Sequence, residues 1–398
     1  MLHPRAQRKW LPPQALRTTS QGGRRKTCGE TYHAVTAPSP YGGEREKNRD
    51  QNDSLIVAGV LGLIQPTMLG RVLSLEGAPP MSVRQLALCA PSIVAAPALL
   101  QRVLDKYPNA KIWRGTKITD EDVLIDFLRG CDAAIIAFEP ITDRVLAALP
   151  ELKVVAKMAA GCESIDFDAM KKHGVRFGYT FGVNKLSVAE LTLSFMISGL
   201  RFIPEQNQSM RAGERPGIKV GRLLTGRTIG LHGCGNIGRE VVRLLAPFNC
   251  KVLACDVKDY AAFYEANGVT PVSLDEMLER SDIVSLHLPK TKATRGLYSR
   301  QLMSRIKPGA VLINTCRGAI VDEVALLDLL DNGHLAAACF DVFAIEPAIC
   351  DRLIGHPRML ATPHIGAAAD EIRIAMACSA IRGVEINELV DPAKYYDN

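Results

Sequence analysis

Three glycines between an apolar run and a helical pattern constrain the fold of this chain more than any other feature. Residues 228–231 are typical of a buried strand, and residues 237–245 place apolar side chains on one helical face. Gly233, Gly235 and Gly238 lie here, where glycines allow a tight turn, close approach of the backbone to a phosphate, and close helix–strand packing. A helix start also attracts an anion through its free N–H groups. The pattern predicts a parallel α/β sheet with an anion-binding turn.

An acidic residue ends the next predicted strand. Asp256 follows residues 251–255, where a carboxylate can accept hydrogen bonds from the two hydroxyls of a ribose. Its charge would repel a 2′-phosphate, so the sequence predicts NAD rather than NADP as the cofactor. Arg239 and Lys258 are nearby cations that could weaken this preference. The alternative is an ordinary strand–turn–helix unit with a capping aspartate.

Three polar residues each follow a further short apolar run. Arg317, Glu346 and His364 come after residues 311–315, 335–343 and 359–362, which are typical of strands buried on both faces of a sheet. Because ligands bind beyond the carboxyl ends of parallel strands, we expect the three side chains to face one crevice.

These residue types suit proton and charge transfer on a small acid. Arginine can hold a planar carboxylate through two parallel hydrogen bonds, histidine exchanges protons near neutrality, and glutamate can orient a histidine. Taken singly, each also has an ordinary interpretation, as a surface ion pair, a solvated carboxylate or a residue packed in a loop.

Charge and cysteine content argue against several classes of protein. The net charge of +6 arises within residues 1–50, which hold ten Lys or Arg and four Asp or Glu, while the remaining residues hold 38 of each sign. We therefore predict no nucleic-acid surface. The eleven cysteines never form a CxxC pair, which predicts reduced thiols and no metal site. No apolar run reaches 18 residues, so no membrane span is expected.

The N-terminal 80 residues are predicted to be a disordered or targeting leader. The first 26 residues contain seven Lys or Arg and no acid, which is the composition of a transit peptide and also of a disordered segment. We predict a cytoplasmic protein, or an organellar one if residues 1–53 act as a transit peptide.

Five motifs, taken together, resemble one family. The segments GLHGCGNIGR (230–239), HLPKTKATRG (287–296), INTCRGAIVDE (313–323), DVFAIEP (341–347) and TPHIGA (362–367) resemble, in order and spacing, the D-isomer-specific 2-hydroxyacid dehydrogenases. The similarity is greatest to phosphoglycerate dehydrogenase-like members. SVAELTL (187–193) and AAGCESID (159–166) resemble substrate-side motifs of that family.

The resemblance implies two doubly wound parallel-sheet α/β domains. Residues 81–185 and 365–398 would form a flavodoxin-like substrate domain, and residues 186–364 an inserted Rossmann domain that binds NAD. The implied activity is NAD-dependent interconversion of a D-2-hydroxy acid and its 2-keto acid by a homodimer. A non-enzymatic NAD-sensing binding protein, similar to the corepressors on this fold, is the alternative.

The resemblance also assigns roles to individual residues. The implied catalytic residues are Arg317, which would bind the substrate, His364, which would move the proton, and Glu346, which would pair with His364. The substrate carboxylate would meet Ala160 and Gly161. The implied cofactor-binding residues are Gly233, Gly235, Asn236, Ile237, Gly238, Asp256, His287, Pro289, Thr294, Thr315, Cys316, Asp341, His364 and Gly366.

Some positions depart from the family pattern or carry a second interpretation. Cys316 stands where Ser or Ala is usual, His232 stands in the strand before the glycine turn, and residues 138–142 lack the arginine that some relatives use for a substrate phosphate. Cys162, Cys234 and Cys316 are predicted to be inert packing residues, with an oxidation-sensitive thiol in the cleft as the alternative. Ser187 and Glu190 have the spacing of a capping box at a helix start.

Overall fold

The computed structural model describes residues 83–215, 217–346 and 351–385. The predicted leader, residues 1–80, and the end of the predicted substrate domain, residues 386–398, lie outside this range. Within it, no single helix is long and apolar enough to cross a membrane, and only the pair Lys185–Leu200 and Ile203–Arg211, bent by 71°, passes on length and composition.

The first part of the chain builds a five-stranded parallel sheet. Its strands are β1 (Leu86–Leu88), β2 (Lys111–Ile112), β3 (Ala133–Ile136), β4 (Val154–Lys157) and β5 (Arg176–Gly178). Its helices are α1 (Pro91–Val94), α2 (Pro97–Lys106), α3 (Glu121–Leu128), α4 (Asp143–Ala147) and α5 (Phe167–Lys172). The strand order β2-β1-β3-β4-β5 is the flavodoxin-like order.

The second part builds a seven-stranded parallel sheet. Its strands are β6 (Thr228–His232), β7 (Lys251–Cys255), β8 (Val269–Pro271), β9 (Ile283–Leu286), β10 (Ala310–Asn314), β11 (Leu335–Phe340) and β12 (Met359–Ala361). The α-helices of this part and of the C-terminal segment are α6 (Lys185–Leu200), α7 (Ile203–Arg211), α8 (Asn236–Leu245), α9 (Ala261–Asn267), α10 (Leu274–Arg280), α11 (Arg300–Met303), α12 (Glu323–Asp331), α13 (Asp351–Ile354) and α14 (Asp370–Glu385). The order β12-β11-β10-β9-β6-β7-β8 contains the Rossmann arrangement, in which all strands stay parallel and the order of successive strands changes side between β6 and β9.

Two long helices connect the sheets. Helix α6 leaves the first sheet and packs on β10, β11 and α8 of the second, whereas α14 returns and packs on β3, β4 and β5. The second sheet is therefore inserted into the first unit, and the predicted fold class is confirmed. Gly178 of β5 and Gly383 of α14 lie in backbone contact, because a Cβ on either glycine would overlap the other. The exact domain boundaries stay predictions.

The predicted capping box at Ser187 is wrong. Helix α6 begins at Lys185, and its N-cap, Asn184, makes no side-chain cap. The hydroxyl of Ser187 instead donates to the carbonyl oxygen of Gly366 at 2.7 Å. This bond ties the first turn of α6 to the loop that follows β12.

Candidate active site

A cleft of about 1170 Å³ lies where loops from both sheets meet. Arg317, Glu346 and His364 all line it, together with Ala160 and Gly161 from the loop after β4. Its volume lies slightly above the roughly 300–1000 Å³ typical of small-molecule sites, as expected for a cofactor together with a small substrate. The expected convergence of the three strand-end residues is therefore observed.

His364 and Glu346 form a hydrogen-bonded pair in the cleft. Nδ1 of His364 lies 2.7 Å from Oε2 of Glu346, whose other oxygen accepts from the backbone N–H of Phe343 at 3.1 Å. The carboxylate thus assigns the proton of the neutral imidazole to Nδ1 and orients the ring. Nε2 is then the nitrogen left to exchange a proton with a ligand.

Asp341 holds the loop that carries His364. This buried carboxylate at the end of β11 accepts hydrogen bonds from the Thr362 hydroxyl at 2.6 Å, the Ile365 N–H at 2.7 Å and the Gly366 N–H at 2.8 Å. His364 has a φ of 56°, in the left-handed region that non-glycine residues rarely adopt. Asp341 also lines the cleft. It can therefore stabilise the loop and still make the cofactor contact predicted for it.

The turn after β10 fixes the backbone of Arg317. The buried side chain of Asn314 accepts from the Cys316 N–H at 3.0 Å and donates to the Arg317 carbonyl at 3.0 Å. Gly318 follows, and a Cβ there would overlap the backbone of Phe343. Arg317 itself donates from Nε to Glu163 at 2.6 Å and from Nη1 to the Cys316 carbonyl at 2.7 Å. Its guanidinium is therefore bound by one group from the first part of the chain, Glu163, and one from the second, the Cys316 carbonyl.

The glycine turn has the shape that phosphate binding requires. Gly233 has a φ of 97°, and a Cβ on it would overlap the carbonyl of His287, while a Cβ on Gly238 would overlap the carbonyl of Gly233. At Gly235, the N-cap of α8, a Cβ would meet no atom within 4 Å, so open space lies over the helix start. This geometry fits a pyrophosphate placed against the N–H groups of the helix.

Asp256 ties the glycine turn to the end of β7. One carboxylate oxygen accepts from the Cys234 N–H at 2.5 Å, and the other accepts from the Lys258 N–H at 2.8 Å. Each oxygen has a further lone pair that can accept a ribose hydroxyl. The residues present therefore fit the adenosine side of NAD.

The predicted cofactor residues fall into two groups. Those that line the cleft are Ile237, His287, Pro289, Thr315, Cys316, Asp341, His364 and Gly366. Those that lie outside its lining are Gly233, Gly235, Asn236, Gly238, Asp256 and Thr294. Besides Asp256, two of the latter have side-chain partners within the protein, because Asn236 accepts from Arg239 at 3.2 Å and the Thr294 hydroxyl donates to the Pro289 carbonyl at 2.6 Å.

Two histidines near the glycine turn are kept neutral by burial. Burial lowers the pKa of His232 to about 4, and its Nδ1 lies 2.9 Å from the Tyr298 hydroxyl. Burial likewise lowers the pKa of His287 to about 4. Nε2 of His287 lies 2.9 Å from the Ser285 hydroxyl, whereas its buried Nδ1 has no hydrogen-bond partner among the residues that the structure describes. His287 thus offers one unpaired polar atom in the wall of the cleft, which fits a polar group of the cofactor.

The three cysteines agree with the packing interpretation. Cys162 and Cys234 are buried in the cores and do not line the cleft, and burial raises the pKa of Cys234 to about 11. Cys316 does line the cleft, but burial raises the pKa of its thiol, and its Sγ lies 3.1 Å from Oδ1 of Asn314. A raised pKa leaves little thiolate, so neither Cys234 nor Cys316 has the character of a reactive thiol.

Sequence reasoning missed several residues of the site. Glu163 and Asn314 stand within the quoted motifs but were given no role there, and Lys157 at the end of β4 is buried in the cleft wall. For Asn314 and Lys157 the position at a strand end was the available signal, because such positions face the crevice in parallel sheets, whereas Glu163 lies in the loop after β4.

Comparison with known proteins identifies the class. The sequence model of the family described as "D-isomer specific 2-hydroxyacid dehydrogenase, NAD binding domain" matches residues 193–366. A glyoxylate reductase of Thermococcus litoralis is 31% identical over 285 residues, which cover 69% of this chain and 86% of the relative. The crystal structure of a glyoxylate reductase from Paecilomyes thermophila has a TM-score of 0.69 at 26% identity and covers 78% of this chain and 98% of its own. The chain belongs to the D-isomer-specific 2-hydroxyacid dehydrogenase family.

A second group of relatives is longer than this chain. The D-3-phosphoglycerate dehydrogenase of Bacillus subtilis (strain 168) is 36% identical over 254 residues, which cover 63% of this chain and 48% of that relative. The chain thus spans about half the length of the phosphoglycerate dehydrogenases that it matches. Its cofactor domain is an NAD-binding domain of this family.

Proposed function

We propose that the protein is an NAD-dependent oxidoreductase that interconverts a D-2-hydroxy acid and its 2-keto acid. The observation that carries this proposal is the convergence of Arg317, Glu346 and His364 on one cleft, with His364 and Glu346 hydrogen-bonded at 2.7 Å. Names of relatives support the same reaction type, since they include glyoxylate and hydroxypyruvate reductases.

Each polar group has a distinct task in the proposed reaction. Arg317 and the backbone at Ala160 and Gly161 bind the carboxylate of the acid, which places its second carbon within the cleft. In the direction of reduction, Nε2 of His364 donates a proton to the keto oxygen, and Glu346 stabilises the orientation of the imidazole. NAD, when bound, exchanges the hydride with that carbon. The unprotonated imidazole accepts the hydroxyl proton in the opposite direction.

A substrate panel tests the proposal. Glyoxylate, hydroxypyruvate, 3-phosphohydroxypyruvate, pyruvate and 2-ketoglutarate are assayed with NADH and with NADPH by the change in absorbance of the nicotinamide. We expect turnover of at least one 2-keto acid, with NADH preferred because of Asp256. Absence of turnover across the panel, in protein shown to bind NADH, would contradict the oxidoreductase assignment and favour an NAD-sensing binding protein.

The remaining expectations are part of the same proposal. We propose a homodimer, as the family resemblance implies, and a cytoplasmic location, as the scattered cysteines indicate. Size-exclusion chromatography with light scattering tests the first, and N-terminal sequencing of the native protein, together with cell fractionation, tests the second.

A further inference from the structure

A carboxylate from the first sheet holds the guanidinium of Arg317. Glu163 lies in the loop after β4, and its Oε1 accepts from Nε of Arg317 at 2.6 Å, across a sequence separation of 154 residues. On the other side, Nη1 of Arg317 donates to the Cys316 carbonyl. These two bonds fix the direction of the planar fork, on which recognition of a carboxylate depends.

The Glu163–Arg317 pair lies directly over the predicted substrate-binding backbone. A Cβ on Gly161 would overlap Oε2 of Glu163 and would lie 2.9 Å from Nη2 of Arg317. The two side chains therefore meet directly over the backbone of Gly161, in space that a larger residue would force them to leave. Glu163 also lines the cleft and is partly exposed to it, with 48% of its side chain accessible.

The negative charge of Glu163 acts on two nearby cations, Arg317 and Lys157. Burial alone would raise the pKa of Glu163, but the charge and hydrogen bond of Arg317 outweigh that effect, and the pKa lies below its ordinary value. The group is therefore ionised at neutral pH. Its charge also reaches Lys157, whose buried Nζ donates to the Ala137 carbonyl at 2.7 Å and to the Ser164 hydroxyl at 3.1 Å. The carboxylate of Glu163 thus partly neutralises the positive charge of Arg317 and Lys157 before any ligand binds.

We propose that Glu163 is a positioning and specificity-determining residue, which orients Arg317 for one carboxylate and disfavours ligands that carry a second anionic group nearby. The inference rests on the proposed function and narrows its substrate class to small 2-keto acids with a single negative charge. A fixed carboxylate within a few ångströms of the bound acid repels an added anionic group, because the cleft screens charge less than bulk water does.

Two ligands of nearly equal shape test the charge effect without turnover. Oxamate carries one negative charge and oxalate carries two, and their affinities are measured by isothermal titration calorimetry on the full chain saturated with NADH. In Glu163→Gln, the affinity for oxalate relative to oxamate is expected to rise at least about fivefold over the wild type. The control is Glu121→Gln, which removes the charge of a Glu–Arg pair on the surface of the same sheet, with Arg144 at 3.1 Å, and should leave the ratio unchanged.

Steady-state kinetics with hydroxypyruvate test the positioning effect. Glu163→Ala should lower kcat at least about fivefold with little rise in KM, because Arg317 keeps its charge but loses its orientation, and Glu163→Asp should recover part of kcat. An unchanged oxalate-to-oxamate ratio in Glu163→Gln, in an enzyme that turns over 2-keto acids, overturns the inference alone. A shifted ratio in a protein without turnover supports the anion-site inference while overturning the proposed reaction.

Discussion

At the residue scale, the left-handed backbone of His364 links the fold to the chemistry. A non-glycine residue in this region costs of the order of 1–3 kcal/mol, and such residues persist where the surroundings determine them. Three hydrogen bonds from residues 362–366 to the Asp341 carboxylate provide that support. Asp341 is therefore the residue that places the imidazole beside Glu346, although the sequence motif indicated only a cofactor contact for it.

Replacing Asp341 tests this support. In Asp341→Asn, an amide NH₂ replaces an acceptor that faces N–H donors, so the loop should shift and the His364–Glu346 pair should separate. We expect kcat to fall at least about tenfold and Tm to fall by a few degrees. Thermal denaturation and steady-state kinetics measure both, and a normal kcat in the folded variant would show that the loop is held by other contacts.

Asp256 carries the predicted cofactor preference. In Asp256→Ala, the repulsion of a 2′-phosphate and the acceptors for the ribose are lost together, so the ratio of kcat/KM for NADH to that for NADPH should fall at least about tenfold. Asp259→Ala, at an exposed carboxylate three residues further on, is the matched control. If the ratio of kcat/KM for NADH to that for NADPH is the same in both variants, the argument that Asp256 contacts the ribose is contradicted.

At the element scale, the strands that were predictable from sequence are those buried on both faces. All residues of β10 and nearly all of β11 are buried, and both are apolar along their length except for Asn314 at the end of β10. By contrast, β2, β5 and β8 are edge strands of two or three residues that include exposed or half-buried polar positions, so they carry no strand signal of their own. The glycine turn and the three strand-end residues were predictable because each lies at the end of an apolar run.

Contacts between distant segments could not be predicted in this way. Glu163 and Arg317 stand 154 residues apart, and the Ser187–Gly366 bond joins residues 179 positions apart. Such pairs depend on the relative placement of the two sheets. The hydrophobic periodicity of the sequence carries no information about that placement. The false capping box at Ser187 has the same cause, since its hydroxyl bonds a distant carbonyl instead of the helix start.

The buried histidine of β6 should make stability depend on pH. The ordinary pKa of His232 is 6.5 and burial lowers it to about 4, so between these values the unfolded chain binds a proton that the folded chain does not. Stability is therefore full above pH 6.5 and declines as the pH falls towards 4, by about 2 kcal/mol at pH 5 from this residue.

Thermal denaturation of His232→Asn measures the effect. The drop in Tm between pH 7.5 and pH 5 should be smaller in this variant than in the wild type, with part of the drop remaining because His287 has a similarly lowered pKa. His173→Asn, on the surface beside Asp143, is the control. An equal drop in wild type and His232→Asn would mean that His232 is protonated without cost in the folded protein.

At the scale of the whole molecule, the cleft exists because the second sheet is inserted into the first unit. Helices α6 and α14 connect the two parts, and the Glu163–Arg317 pair joins them again inside the cleft. One part supplies the cofactor turn and the three strand-end residues, and the other supplies the backbone at Ala160 and Gly161. Neither part alone contains the complete set of groups that the proposed reaction uses.

The most direct test of this account compares wild type, Arg317→Ala and His364→Ala in the reduction of whichever 2-keto acid is turned over. NADH binding is measured in parallel by fluorescence. The account predicts that each variant binds NADH with nearly normal affinity and loses at least about 10²-fold in kcat/KM, because carboxylate binding or proton transfer is removed while the cofactor turn is intact. Turnover within a few-fold of wild type in either variant would contradict the assignment of these residues to the reaction.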